Sequence, residues 1–199
     1  LINSGKIPSF PDVPFENGDF HFVDVEDNAA IPDTIVSLVK EVLPAKLNVD
    51  FKRDIQVLCP MRRGPSGTMN LNELLQQALN PPKETAVRVF NTRFDTGDKV
   101  MQVKNDYRMS WKRARRGRPD ELGEGVYNGD LGTIMSIDLY EQTVDVLFDD
   151  EREALYEFSQ LEELELAYCI SIHKSQGSEF PVVILPLAGG PPMLMTRNL

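Results

Sequence analysis

The spacing of apolar residues changes character twice along this chain, and those two changes restrict its fold more than any other feature. Before residue 85 the pattern alternates between strand and helix. "DFHFVDV" (19–25) alternates Phe20 and Phe22, then Val23 and Val25, and reads as a strand. Ile31, Ile35, Val36, Leu38, Val39, Val42 and Leu43 then form a helical stripe, with Pro32 near its start and Pro44 expected to end it. "DIQVLCP" (54–60) is short and almost wholly apolar, as strands buried on both faces are. "NLNELLQQALN" (70–80) predicts a helix with Asn70 as N-cap and Glu73 at the capping-box position. That rhythm belongs to a parallel sheet with crossover helices. From about residue 86, "TAVRVF", "GDKVMQV", "GDLGTIMSIDL", "TVDVLFDD" and "ALYEF" are short strands separated by turns, with Asn128-Gly129 a tight-turn signal. They predict a small antiparallel barrel. At Ala167 the buried pattern returns in "AYCISI" and "PVVILPL". The simplest architecture is an α/β domain interrupted by a β-barrel.

Composition narrows the function classes. The 199 residues are 41% hydrophobic and 26% charged, enough to bury a core in a domain of ordinary size. A net charge of −10 argues against nucleic-acid binding through overall charge. It leaves room for a local basic path, because salt screens charges beyond roughly 10 Å. Such a path exists in the sequence. Residues 93–118 hold nine cations against Asp95, Asp98 and Asp106, whereas 141–165 are acidic with Arg152 nearly alone. Cys59 and Cys169 sit in apolar runs and read as reduced core thiols, and with His21 and His173 they form no zinc-ligand spacing. No metal site is expected. No apolar run approaches the ~20 residues of a membrane span. The chain begins on Leu and stops at "MLMTRNL", the expectation being a piece of a longer protein.

Three stretches carry polar chemistry. "CPMRRGPSG" (59–67) lies at the carboxyl end of an expected parallel strand, where ligand sites in open α/β sheets concentrate. Arg62 and Arg63 can hold phosphate there, and Gly64 and Gly67 would let backbone N–H groups approach it. A solvated loop with two surface arginines is the plain alternative, since no Gly-Lys-Ser/Thr phosphate loop is present. "KNDYRMSWKRARRGR" (104–118) interleaves Tyr107 and Trp111 with cations. That suits base stacking and phosphate contact on a single strand, and suits a solvated hairpin tip equally well. "SIHKSQGSE" (171–179) places Ser171, His173, Lys174, Ser175, Gln176, Ser178 and Glu179 within nine residues directly after a strand. A turn needs one or two such groups to cap its backbone, and a His-Lys pair is costly to bury without an anion. The stretch points to a ligand.

These residues carry a resemblance. "LELAYCISIHKSQGSEFPVVILPL" resembles motif V of superfamily 1 DNA helicases of the RecD type. "VLCPMRRGPSGTMNLNELLQQALNP" resembles the segment before the inserted domain of those proteins, and "GDKVMQVKNDY" with "GVYNGDLGTI" the start of that insertion. "INSGKIP" and "TRNL" resemble the flanks, while "SWKRARRGRPDELGEG" looks like extra length. The resemblance implies an α/β fold: a parallel RecA-like sheet of the P-loop NTPase type, flanked by helices and interrupted by a small antiparallel SH3-like β-barrel. Residues 1–85 and 161–199 would form RecA-like domain 2A, and 86–160 the SH3-like domain 2B. In such helicases ATP closes the cleft between domains 1A and 2A and hydrolysis reopens it, driving 5′→3′ movement on single-stranded DNA. The resemblance puts Ser171, His173 and Lys174 toward DNA, and Gln176, Gly177 and Glu179 toward the nucleotide. By loop position rather than by the resemblance, Arg62 and Arg63 join the nucleotide side, and by composition alone Arg113, Arg115 and Arg116 of the basic stretch join the DNA side. ATP and Mg2+ would be bound mainly by domain 1A, whose Walker A and B elements do not appear in this chain, so the chain alone is expected to show no appreciable ATPase. Implied partners are single-stranded DNA, ATP, domain 1A of the same parent chain and recombination-complex subunits, in a cytoplasmic bacterial protein with no membrane contact. The rival is a non-enzymatic nucleic-acid or protein-interaction module centred on the barrel. A third reading is an RNA-directed helicase on the same scaffold.

Overall fold

A computed structural model describes residues 18–187. The Asp27 carboxylate accepts the Ala29 N–H at 2.9 Å and opens a short 3-10 turn into α1 (Ile31–Ser37). A π-helical turn (Leu38–Val42) and α2 (Leu43–Leu47) continue the same rod, burying Ile31, Ile35, Val39 and Leu43 at a spacing of four. Pro44 does not end this helix. Its missing N–H is accommodated where the wide π turn passes into α2, and the rod stops at Asn48, whose left-handed φ of 52° closes it.

β1 (Ile55–Cys59) follows, buried along nearly its whole length, and then α3 (Thr68–Leu79). Near the other end lie β11 (Cys169–Ser171) and β12 (Val182–Ile184). These strands form one parallel sheet in the order β11-β1-β12, with Cys59 in register with Ser171. The expected parallel sheet is therefore present. Asn72 on α3 fastens the helix to it by accepting the Cys169 N–H at 2.9 Å and donating to the Cys169 carbonyl at 2.8 Å. The expected strand over 19–25 is absent. That segment runs outside the three sheets and leaves Phe22 exposed, because alternation without a neighbouring ladder does not make a strand.

Between these halves lie β2 (Val87–Val89) and β3 (Thr92–Phe94), a two-stranded hairpin. The rest is one antiparallel sheet of β4 (Lys99–Gln102), β5 (Asp106–Arg113), β6 (Glu121–Val126), β7 (Leu131–Asp138), β8 (Thr143–Phe148), β9 (Glu153–Glu157) and β10 (Leu164–Leu166). Its order is β10-β4-β7-β8-β9-β5-β6. The end strands β10 and β6 do not pair with each other, so among the described residues this is an open sheet and no closed barrel is found. The basic stretch supplies one of its strands, β5, unread in the sequence because charge hid the alternation, and β6 follows directly after it. Trp111 lies across Gly123, where a Cβ would come within 2.4 Å of the indole, so only glycine lets the ring pack there.

The two sheets share a corner. β10 pairs with β4, and two residues later the chain enters β11. The buried Gln56 amide donates to the carbonyls of Ala167 and Tyr168 at 3.1 and 3.2 Å and pins that crossing. Met101 and Leu131 of the antiparallel sheet form a small second core with Ala167 and Ile170, against which Phe180 and Leu58 pack.

Candidate functional site

The loops leaving β1 and β11 depart from the same end of the parallel sheet, since Cys59 and Ser171 are register partners. After β11 comes a 3-10 turn (Ile172–Ser175). The Ser171 hydroxyl accepts the Lys174 N–H at 3.3 Å, and the Ser175 hydroxyl donates to the Ile172 carbonyl at 2.8 Å. Gly177, at φ 87°, turns the chain, with the Ser178 N–H bonded back to the Ser175 carbonyl at 3.0 Å. His173, Gln176, Gly177, Ser178 and Glu179 are exposed, and Ser171, Lys174 and Ser175 are half-buried. The two serines are thus spent on capping. The histidine is not a buried cation, which corrects the expectation that desolvation demands a ligand here. Lys174 has its own anion: its Nζ lies 3.2 Å from Glu165 Oε2.

Across from it, Arg62 and Arg63 are exposed on the loop after β1. Arg62 Nη2 donates to Glu165 Oε1 at 3.0 Å, so one carboxylate gathers cations from both loops. The phosphate-cradle expectation for Gly64 and Gly67 fares differently. Three amides at the start of α3 are already taken: Gly67 N–H donates to Gly64 O at 3.0 Å, Thr68 N–H to Met61 O at 3.0 Å and Met69 N–H to Arg62 O at 3.2 Å. Gly67 is small for a packing reason, since a Cβ would lie 2.6 Å from the Arg63 carbonyl. Gly67, not Asn70, is the N-cap of α3, and Asn70 instead donates to the Pro65 carbonyl at 2.7 Å.

In the sequence the basic and acidic stretches look opposed; the fold pairs them. β5 runs beside β9, where Lys112 meets Glu153 at 3.1 Å. Arg113 contacts Glu121 at 3.4 Å and Asp150 at 3.1 Å, and Arg115 contacts Glu121 at 2.5 Å. Arg116 is exposed and forms no ion pair among the described residues. Trp111 is covered by the Arg113 and Arg152 guanidinium groups, 5.4 and 5.9 Å from its ring, whereas Tyr107 is 67% exposed and meets Tyr127 edge-on at 5.9 Å. Of the two aromatics, Tyr107 is the one that offers an open ring.

Sequence reasoning missed a site at the corner. An open pocket of about 250 Å³ lies between the loop at Ser178, Glu179 and Phe180 and the antiparallel sheet at Asp149, Asp150 and Arg152. Behind it, Lys99 is buried, with its Nζ 3.4 Å from the Ile55 carbonyl and 6.0 Å from the centre of the Phe180 ring. Burial pulls its ammonium down to about 8, against the attraction of Asp149 and Asp50. A lone lysine in "GDKVMQV" gives no sign of that burial. Cys59 and Cys169 are free and buried, as expected, and the hydrogen bond between the sulfurs together with burial pushes the Cys169 thiol up, so it stays protonated. No cluster of three or more His, Cys, Asp or Glu side chains among the described residues can hold a metal ion.

Comparison with known proteins assigns this arrangement to the helicase class. Residues 71–148 match the family described as "ATP-dependent RecD-like DNA helicase SH3 domain". Residues 166–199, which include the loop after β11, match "UvrD-like helicase C-terminal domain". The chain belongs to the RecD-like DNA helicase family. It is 34% identical to the ATP-dependent RecD2 DNA helicase of Deinococcus radiodurans over 73% of this chain and 18% of that protein. It is 26% identical to the RecBCD enzyme subunit RecD of Mycolicibacterium smegmatis over 72% of this chain and 22% of that protein. Among solved structures, a Pif1 helicase from Bacteroides in complex with ADP-AlF3 and ssDNA matches at a TM-score of 0.46 and 16% identity, covering 82% of this chain and 41% of that one. The chain thus spans about a fifth of the length of these curated relatives. No helix among the described residues is long and apolar enough to cross a membrane.

Proposed function

We propose that this chain is part of an ATP-dependent 5′→3′ DNA helicase, supplying the second RecA-like domain that couples ATP hydrolysis to movement on single-stranded DNA. In this reading 1–85 and 161–199 form domain 2A and 86–160 the inserted domain 2B. The observation that carries it is the pair of adjacent strand-end loops. They bring Arg62, Arg63, Lys174, Gln176 and Glu179 to one end of a parallel sheet, where nucleotide sites of such sheets lie. ATP and Mg2+ would be held mainly by domain 1A. This chain has no glycine-rich phosphate loop and no metal-binding cluster among its described residues, so its own contribution is to orient phosphates and transmit closure. Lys174 would meet a DNA phosphate as a point charge, and Glu179 would accept from a ribose hydroxyl. The chain alone would not hydrolyse ATP appreciably. The parent would act in the bacterial cytoplasm, alone or with recombination-complex subunits.

The test is DNA-stimulated ATP hydrolysis by the full-length protein. Lys174→Ala and Glu179→Ala should each lower stimulated turnover by at least about tenfold, the loss of ~1.4 kcal/mol of coupling, with an unchanged melting temperature. If both are silent while Arg115→Glu and Arg116→Glu abolish nucleic-acid binding, the protein is an interaction module and the helicase reading fails. Comparing unwinding of matched DNA and RNA duplexes separates the DNA motor from an RNA motor.

A further inference from the structure

Arg62 and Lys174 are assigned by sequence to different ligands, yet they converge on one atom group. Each lies three residues beyond one member of the registered pair Cys59 and Ser171, so the two loops carry their cations outward side by side. Glu165 meets them from the middle of β10, its side chain turned outward between the buried Leu164 and Leu166. Oε1 takes Arg62 at 3.0 Å and Oε2 takes Lys174 at 3.2 Å, one cation on each oxygen. The three side chains are 70%, 32% and 40% exposed for Arg62, Lys174 and Glu165. Ion pairs that open to water contribute little to folding. What the carboxylate does is hold two long, mobile cations from separate loops at one point, with two oxygens presented as an anionic ligand would present them.

We propose that Arg62 and Lys174 form a single phosphate site, and that Glu165 occupies it as an internal carboxylate until a phosphate displaces it. This rests on the helicase reading for the source of the phosphate, a backbone diester of single-stranded DNA. A nucleotide phosphate shares the chemistry and is the other possible source. Glu165 then sets the affinity and the release of the ligand, because the incoming anion must exchange for a tethered one. Exchange keeps both cations paired in either state, which favours repeated capture and release over tight holding.

The experiment measures equilibrium binding of fluorescein-labelled oligo(dT) and, separately, of a fluorescent ADP analogue to the full-length protein by anisotropy. Glu165→Gln should tighten oligo(dT) binding by about two- to fivefold, the range open to a surface ion pair. Arg62→Gln and Lys174→Gln should weaken it and lower the salt slope by about one each. In the Arg62→Gln/Lys174→Gln background, Glu165→Gln should have no effect. Glu162→Gln is the control for general charge, since Glu162 pairs with Lys104 at 2.6 Å on the same stretch. Equal tightening by Glu162→Gln and Glu165→Gln overturns the site, as does an unchanged affinity of Glu165→Gln for both probes. Tightening confined to the ADP analogue keeps the site and assigns it to the nucleotide. The helicase reading fails separately: oligo(dT) binding that responds to Glu165→Gln, without DNA-stimulated ATPase in the wild type, leaves the phosphate site standing and removes the motor.

Discussion

Two polar clusters flank β11, and they are built on opposite principles. On one side Asp98 is wholly buried, and its carboxylate accepts from Gln76 at 2.5 Å, Asn80 at 2.6 Å, Tyr168 at 2.9 Å and the Asp95 N–H at 2.7 Å. Burial is the larger influence and raises its pKa above the ordinary carboxylate value, against four hydrogen bonds that lower it. On the other side the loop at 171–179 keeps most of its polar groups in water, with Lys174 lightly held by Glu165. The first cluster fixes α3 to the start of β4 and to the corner at Tyr168. The second fixes almost nothing. A density of polar residues is therefore a poor guide to function until burial and pairing are known: saturated and dry means architecture, exposed and loosely paired means availability.

The sharpest way to break this contrast is Asp98→Ala. It would strand two amides, a phenol and a backbone N–H in the core, and should cost about 3–5 kcal/mol in urea unfolding. A loss below about 1 kcal/mol would put Asp98 in the same category as the exposed loop. Next comes Gly67→Ala, which drives a methyl into the Arg63 carbonyl and should cost about 1–3 kcal/mol, read as a fall in melting temperature.

Lys99 gives a smaller effect with a definite pH signature. Its folded pKa of about 8 lies below the ordinary 10.5, so between those values the unfolded chain binds more protons than the folded one. Stability should therefore rise as pH increases from about 8 toward about 10, until the buried phenols of Tyr156 and Tyr168, whose pKa values burial raises, begin to oppose it. Lys99→Met should flatten that rise. The smallest effect belongs to the exposed loop: Glu179→Gln should change unfolding free energy by less than about 0.5 kcal/mol, whatever it does to turnover.

Much of the parallel half was legible. β1 and α3 announce themselves through an unbroken apolar run and a helical stripe, because burial against neighbouring layers leaves few residue types to choose from. The boundaries were less so. Asn70 satisfies every local rule for an N-cap, yet the helix starts two residues before it, at Thr68 behind Gly67, where the Met61 and Arg62 carbonyls take the Thr68 and Met69 amides. Pro44 reads as a stop, yet the helix passes it through a π turn. Strand β5 was obscured by its cations, of which Lys112 meets Glu153 and Arg113 meets Glu121 and Asp150 only after the sheet assembles, and β6 by its two glycines and two glutamates. The cations of the two strand-end loops were visible in "CPMRRGPSG" and "SIHKSQGSE", whereas Glu165, which pairs with both, and the corner with Lys99 were not. Nor was their grouping.

What the sequence determined by itself was the succession of α1, β1 and α3, the change from buried parallel strands to short antiparallel ones, and the residue types at the ends of β1 and β11. Those follow from local periodicity, which each segment carries alone. Only the tertiary structure decided that the antiparallel sheet stays open, that Lys99 and Asp98 are dry while His173 is wet, and that Arg62 and Lys174 share Glu165. The physical reason is common to all three. Edge closure, desolvation and ion pairing depend on which distant segments arrive at the same place, and residues 62, 165 and 174 meet only when two sheets have turned the corner at Ala167.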